Sequence, residues 1–187
     1  AVGGPEGSFE KDNLLPFPVI SGEGEKKWTE FLELTHKNEP PSEEVLKRWR
    51  TYGTDLPELT PAYLEEDFPK LKNRLVYFET SRGCPYLCSF CLSALDKTVR
   101  YFDDATIQIQ IKKLITAGIQ KIKFVDRTFN LKPSRMKDLM QWLTQFKGSE
   151  FHFEVVGDIL TPEILDFLKT VPAGMFQFEI GIQTTTE

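Results

Sequence analysis

Four short stretches of this 187-residue chain alternate apolar and polar residues with a period of two, and the segments between them carry a helical period. Residues 75–80 (LVYFET), 121–126 (KIKFVD), 151–156 (FHFEVV) and 176–183 (FQFEIGIQ) read as strands. Ile107, Ile111, Leu114 and Ile115 share one face of a helix over about 104–117, which Gly118 stops. Pro133 opens a second helix with Met136, Leu139, Met140 and Leu143 as its apolar stripe. Thr161-Pro162-Glu163 starts a third, with Ile164, Leu165 and Leu168 facing inward. Strand–helix alternation at this spacing predicts a parallel sheet with right-handed crossovers.

The polar positions of these strands have a direction. Tyr77, Glu79 and Ser81 share one parity, as do His152 and Glu154, and Gln177, Glu179 and Gln183. The opposite parity is Val76 and Phe78; Phe151, Phe153 and Val155; Phe176, Phe178, Ile180 and Ile182. Parallel strands covered on both faces read as continuous apolar runs, and these do not. The apolar set should lie under the helices. The polar set should line something wet or ligand-filled, because burying unpaired carboxylates is costly. An open-cored barrel or half-barrel meets that demand; a sheet with one solvated face is the alternative. The second strand fits less cleanly: Ile122, Phe124 and Asp126 share a face, and Lys123 lies on the other.

Upstream, residues 1–37 read as the end of a separate α/β unit. Gly3-Gly4-Pro5-Glu6 is a turn, 15–20 a short strand, and the glycines of 21–25 lead into a helix bearing Trp28, Phe31 and Leu32. Residues 38–73 are rich in Pro, Glu and Lys and read as a linker containing one short capped helix to about Arg50. The third domain segment is 74–187. Both ends look cut, so the expectation is a piece of a longer protein.

Composition narrows the function classes. A net charge of −5 supplies no global basic field for nucleic acid. An RNA-modifying role therefore gains little support. No apolar run is long enough to span a bilayer, so no membrane partner is expected. The chain has three cysteines, all within Cys84-x-x-x-Cys88-x-x-Cys91. One loop with an odd thiol is a poor disulfide framework, and thiolate chemistry needs a reducing compartment. Both points suggest the cytoplasm.

The number three is informative. Closed zinc or iron–sulfur sites take four protein ligands, and an open position marks a site that binds something else. The loop leaves the C-terminal end of the first strand, where α/β folds carry their active sites. A zinc site completed by His36 or His152, in a non-catalytic binding module, is the rival reading.

The stretch ETSRGCPYLCSFC resembles the cluster motif of the radical S-adenosylmethionine (SAM) superfamily, including the aromatic Phe90 before the last cysteine. KFVDRTFN (123–130), FHFEVVGD (151–158) and FEIGIQTTTE (178–187) are similar to later strands of the branch with an N-terminal cobalamin-binding domain. GGPE and SGEGEKKWTEFLEL resemble the last part of that domain. The resemblance implies a partial parallel (β/α) barrel preceded by the C-terminal part of a Rossmann-like cobalamin-binding domain. It implies that Cys84, Cys88 and Cys91 hold three irons of a [4Fe–4S] cluster whose free iron chelates SAM. One electron would then cleave the sulfonium bond to give a 5′-deoxyadenosyl radical.

It further implies that Phe90 packs by the adenine, that Asp126 meets the methionine amino group, and that Glu154 and Gln183 contact the ribose or methionine part. For Phe90 the alternative is core packing, for Asp126 a helix or turn cap, and for Glu154 and Gln183 a hydrogen-bonding place on the sheet. Arg82 and Arg127 are expected to brace loops by pairing with carboxylates, and His152 to be an interior imidazole. Cobalamin binding, and the choice between methyl transfer and hydrogen abstraction, stay open. The expected partners are a small-molecule substrate and a reducing donor such as flavodoxin or ferredoxin.

Overall fold

The computed structural model describes residues 1–4, 8, 17–52 and 62–182. It divides into two compact units, Ala1–Glu58 and Leu59–Glu187. That break falls inside the span expected for the linker.

In the first unit Val2 and Val19 form a parallel bridge. Part of the strand expected over 15–20 lies outside the described residues. Helix α1 (Glu25–Lys37) ends at Asn38, whose left-handed backbone closes the last turn. Helix α2 (Glu43–Arg50) is capped by the Ser42 side chain, which accepts from Val45 N–H. Its Trp49 is wholly buried. The indole N–H of Trp49 donates to Glu30 at 2.7 Å, and its ring meets Phe31 edge-on at 6.0 Å. This packing makes α2, assigned to the linker on composition, part of the first unit. Trp28 and Leu32 stay exposed.

The second unit holds all four expected strands. They are β1 (Leu75–Phe78), β4 (Lys121–Phe124), β5 (Glu150–Val155) and β6 (Phe176–Ile180), parallel and in the order β1-β4-β5-β6. Between them run α4 (Asp104–Thr116), α5 (Pro133–Leu143) and α6 (Pro162–Leu168), following a one-turn α3 (Phe68–Leu71). Strands added in one direction through right-handed crossovers place their helices on one face. Burial agrees for β1, β4 and β5, where Val76, Phe78, Ile122, Phe124, Phe151, Phe153 and Val155 are buried, and for Ile107, Ile111, Leu114, Met136, Leu139, Met140, Leu143 and Ile164 of the helices. Leu165, expected to face inward, is exposed, as are Ile180 and Ile182 at the β6 edge, where no further described element covers them. Phe124 stacks on Phe153 at 4.9 Å, and Phe129 lies 4.6 Å from Phe153. Aromatic burial of this kind dominates core energetics.

The other sheet face is polar, as the alternation predicts. The β1 edge is not bare, because the Tyr77 N–H donates to the Tyr63 hydroxyl at 3.1 Å. One feature escaped the periodicity reading. β2 (Ser81–Arg82) and β3 (Arg100–Tyr101) form an antiparallel pair at the base of the cysteine loop. Two-residue strands are too short to show a period.

Candidate functional site

The C-terminal ends of β1, β4 and β5 meet at the root of the cysteine loop. Gly83 makes that loop possible. Its φ is +90°, and a Cβ there would lie 2.2 Å from the Thr98 carbonyl oxygen. Only glycine accepts both conditions. The next residue, Cys84, donates its N–H to the Asp96 carbonyl at 2.9 Å. Asp96 is also ion-paired with Arg100 of β3. The loop is therefore closed at its neck.

All three cysteines are free thiols; Cys84 is buried, whereas Cys88 and Cys91 are exposed. Cys91 N–H donates to the Cys88 carbonyl at 3.0 Å, which turns the outer arm back on itself. Hydrogen bonds from Ser93, with the nearby Arg127 charge, hold the Cys91 thiol below its ordinary pKa. Among the described residues no three His, Cys, Asp or Glu side chains stand close enough together to hold a metal ion. Spacing alone suggests convergence, yet unligated thiols have no attraction for one another, and metal-site formation is coupled to binding. What the structure provides is a donor set suited to iron or zinc: one anchored thiol and two on an accessible arm. His152, a possible fourth zinc ligand, is held in β5 with its Nε2 3.3 Å from Glu179.

The segment after β4, DRTFN, ties the root together. Asp126, Thr128 and Asn130 are all buried, and each reaches a different neighbour. Asp126 accepts from Thr80 N–H at 3.0 Å, Thr80 Oγ1 at 2.6 Å and Ser81 Oγ at 2.5 Å. Thr128 Oγ1 lies 3.7 Å from Cys84 Sγ. Asn130 pairs twice with the Val156 backbone, donating to its carbonyl at 2.7 Å and accepting its N–H at 2.9 Å. Arg135 of α5 donates to Thr80 Oγ1 at 3.3 Å and pairs with Asp104 at 2.6 Å.

This arrangement redirects Asp126. Both of its oxygens are filled by protein donors and its relative exposure is 1 %. In this structure it is a buried clip between Thr80, Ser81 and the end of β4, with neither oxygen turned to an open site. Desolvation pushes its carboxyl pKa up, against the opposing pull of Ser81, Thr80 and Arg135.

Phe90 is 78 % exposed, which rules out core packing in this conformation. Glu154 stands on the polar face with Oε1 3.1 Å from Lys123 Nζ. Lys123 also reaches Glu179 of β6 at 3.0 Å. The lysine that made the second strand look irregular thus bridges two carboxylates across three strands. Gln183 lies outside the described residues. Arg82 pairs with Glu79 at 2.9 Å, as expected of a loop brace, and Arg127 is exposed beside the outer arm. Thr80, Thr128, Asn130 and Arg135 were not singled out from the sequence. The available signal was the run Asp126, Thr128, Asn130: small polar residues at every second position, directly after a strand.

Residues 78–187 match the model of the Radical SAM superfamily. The chain belongs to the radical SAM superfamily. It is 38% identical, over 73 residues, to the cobalamin-dependent radical SAM methyltransferase TokK of Streptomyces tokunonensis; the match covers 38% of this chain and 11% of that protein. The fold is similar to that of the radical SAM methyltransferase TsrM from Kitasatospora setae, solved with tryptophan substrate and a SAM analogue. There the TM-score is 0.61 at 17% identity, over 89% of this chain and 37% of that one. A TsrM structure with cobalamin and a [4Fe–4S] cluster bound gives a TM-score of 0.60 at 17% identity, over 87% and 38%. The chain thus spans about a tenth of the curated relative and under two-fifths of these solved chains. Within the radical SAM segment, the matched region opens at the end of β1 and takes in the whole cysteine loop. Among the described residues no helix is long and apolar enough to cross a membrane.

Proposed function

We propose that this chain carries the cluster- and SAM-binding part of a cobalamin-dependent radical SAM methyltransferase acting on a small molecule. The observation that carries the reading is a trio of free thiols on a glycine-closed loop at the C-terminal end of a parallel strand. That is where α/β sheets place their chemistry. The family match and the thiol chemistry favour a [4Fe–4S] cluster over zinc. The names of the related proteins favour methyl transfer over hydrogen abstraction. The first unit is then the end of a cobalamin-binding domain, and the second the start of a (β/α) barrel.

When bound, the cluster supplies the single electron that breaks a C–S bond of SAM. The rest falls to the chain. Cys84, Cys88 and Cys91 would be the cluster's protein ligands, three thiolates that would leave one position for SAM. Phe90, already on the surface of the arm, packs beside the adenine. Glu154 and Gln183 take hydrogen bonds from the ribose or methionine part, with Lys123 fixing Glu154 in place. The polar sheet face receives the cofactor, while the aromatic face beneath keeps the support rigid and dry. A flavodoxin or ferredoxin supplies the electron.

Anaerobic reconstitution of the full-length protein with iron and sulfide tests this. The expected product is brown, contains iron and sulfide in equal amounts, and has a reduced-state electron paramagnetic resonance signal that SAM perturbs. Replacing any of the three cysteines by alanine should remove the cluster. A colourless protein holding one tight zinc would overturn the reading.

A further inference from the structure

Thr128 and Cys84 are 44 positions apart in sequence, yet hydroxyl and sulfur lie 3.7 Å from one another in a buried setting. The hydroxyl proton currently serves the Arg127 carbonyl at 2.8 Å, so the oxygen offers a lone pair to the thiol. Neither partner is free to drift. Asp126 pins the loop two residues before Thr128, and Asn130 pins it two residues after. Cys84 is held by its own N–H and by the turn at Gly83. Of the three thiols only Cys84 is buried, so its sulfur alone has a protein wall in place of water.

We propose that Thr128 is a positioning residue for the cluster, donating its hydroxyl proton to the Cys84 sulfur once that sulfur is an iron-bound thiolate. The inference rests on the cluster reading above. A small rotation of the hydroxyl moves its proton from the Arg127 carbonyl to the sulfur. A negatively charged acceptor binds a donor more strongly than a neutral one, and burial removes competing water. Hydrogen bonds to cluster sulfurs are a recognised control on reduction potential. The reduced cluster carries one more negative charge than the oxidised one, so the donor stabilises it more. Thr128 thereby raises the potential and eases electron entry at the ligand buried deepest.

The test compares Thr128→Val, which keeps shape and loses the proton, with Thr128→Ser, which keeps the proton and loses a methyl. Both are made in the full-length protein, reconstituted without oxygen and titrated against redox dyes with the paramagnetic signal as readout. At the wild-type midpoint the valine variant should show a several-fold to tenfold lower reduced-to-oxidised ratio, tenfold being about 59 mV for one electron. Its iron and sulfide content should match wild type, and the serine variant should titrate like wild type. Should the valine variant load poorly, Thr128→Ala carries the same comparison at smaller volume. An unchanged potential in the hydroxyl-free variants, or an equal shift in the serine variant, overturns the inference and leaves the cluster reading intact. Failure of the wild-type protein to form a cluster overturns both.

Discussion

Thr80 and Asp126 are joined by two hydrogen bonds, one from the Thr80 backbone at 3.0 Å and one from its hydroxyl at 2.6 Å. Thr80 lies two residues beyond β1 and Asp126 two residues beyond β4. Neighbouring strands of the sheet are thus clipped together where the cysteine loop departs. The sheet ladder ends at Phe78 and Phe124, so this clip extends the pairing beyond the regular strands. Replacing Asp126 with alanine would leave the Thr80 amide and the Ser81 hydroxyl without their buried acceptor. A loss of about 1–3 kcal/mol per abandoned buried group is expected, and denaturant unfolding would show it as a lower midpoint. An unchanged midpoint would mean that the clip contributes nothing to the sheet.

Gly83→Ala should act on the loop. A left-handed backbone costs a non-glycine residue roughly 1–2 kcal/mol, and the added Cβ also collides with the Thr98 carbonyl. The neck between Gly83 and Thr98 has to open, moving Cys84 away from Asp96. Iron uptake after reconstitution should fall sharply, while far-ultraviolet circular dichroism stays close to wild type. Normal uptake would show that the neck is dispensable.

Phe90→Ala separates function from folding. The ring is exposed, so removing it should change stability by less than about 0.5 kcal/mol. Affinity of the reconstituted protein for SAM should drop, as measured by calorimetry or by the SAM-induced change in the paramagnetic signal. Destabilisation with unchanged SAM binding would assign Phe90 to packing instead.

The Lys123 bridge should make the sheet sensitive to pH. Hydrogen bonds that Lys123 donates to Glu179 and Glu154 raise its pKa above its ordinary 10.5. Lys123 in turn lowers the Glu179 pKa below its ordinary 4.5. The glutamate contribution is present above pH 4.5 and disappears as pH falls through its depressed folded value. The lysine contribution is complete below pH 10.5 and is lost as pH climbs through its raised folded value. The bridge's contribution is therefore complete between about 4.5 and 10.5 and fades outside that window. In Lys123→Met, carbon-detected titration of the Glu179 carboxyl should move back toward 4.5. A titration curve identical to that of wild type would remove the bridge from the account.

Much of the fold could be read from local signals. Alternation in FHFEVV and the stripe Met136, Leu139, Met140, Leu143 each depend on only a few neighbouring residues, and the structure keeps both. The caps were equally local, with Thr161 accepting from Ile164 N–H. The cysteine run was legible because its chemistry lies in residue type and spacing. Asp126 was harder. Its place at the end of a strand suited a ligand contact or a cap, and its hydrogen bonds to Thr80 and Ser81, some 45 residues away, could not be read from its neighbours. Trp49 was similar: composition put its helix in a linker, and burial against Glu30 and Phe31 put it in a compact unit.

The order of strands and helices, the two-sided character of the sheet and the trio of thiols follow from the chain's own pattern, because propensity, periodicity and metal affinity act within a few residues. Which carboxylate stays open, which thiol is buried and which hydroxyl faces it depend on packing between distant segments. Asp126 is filled by a neighbouring strand, Cys84 is walled by Thr128, and Glu154 is held by Lys123. Such pairings form only when the sheet brings strand ends within hydrogen-bonding distance, and no local rule encodes them.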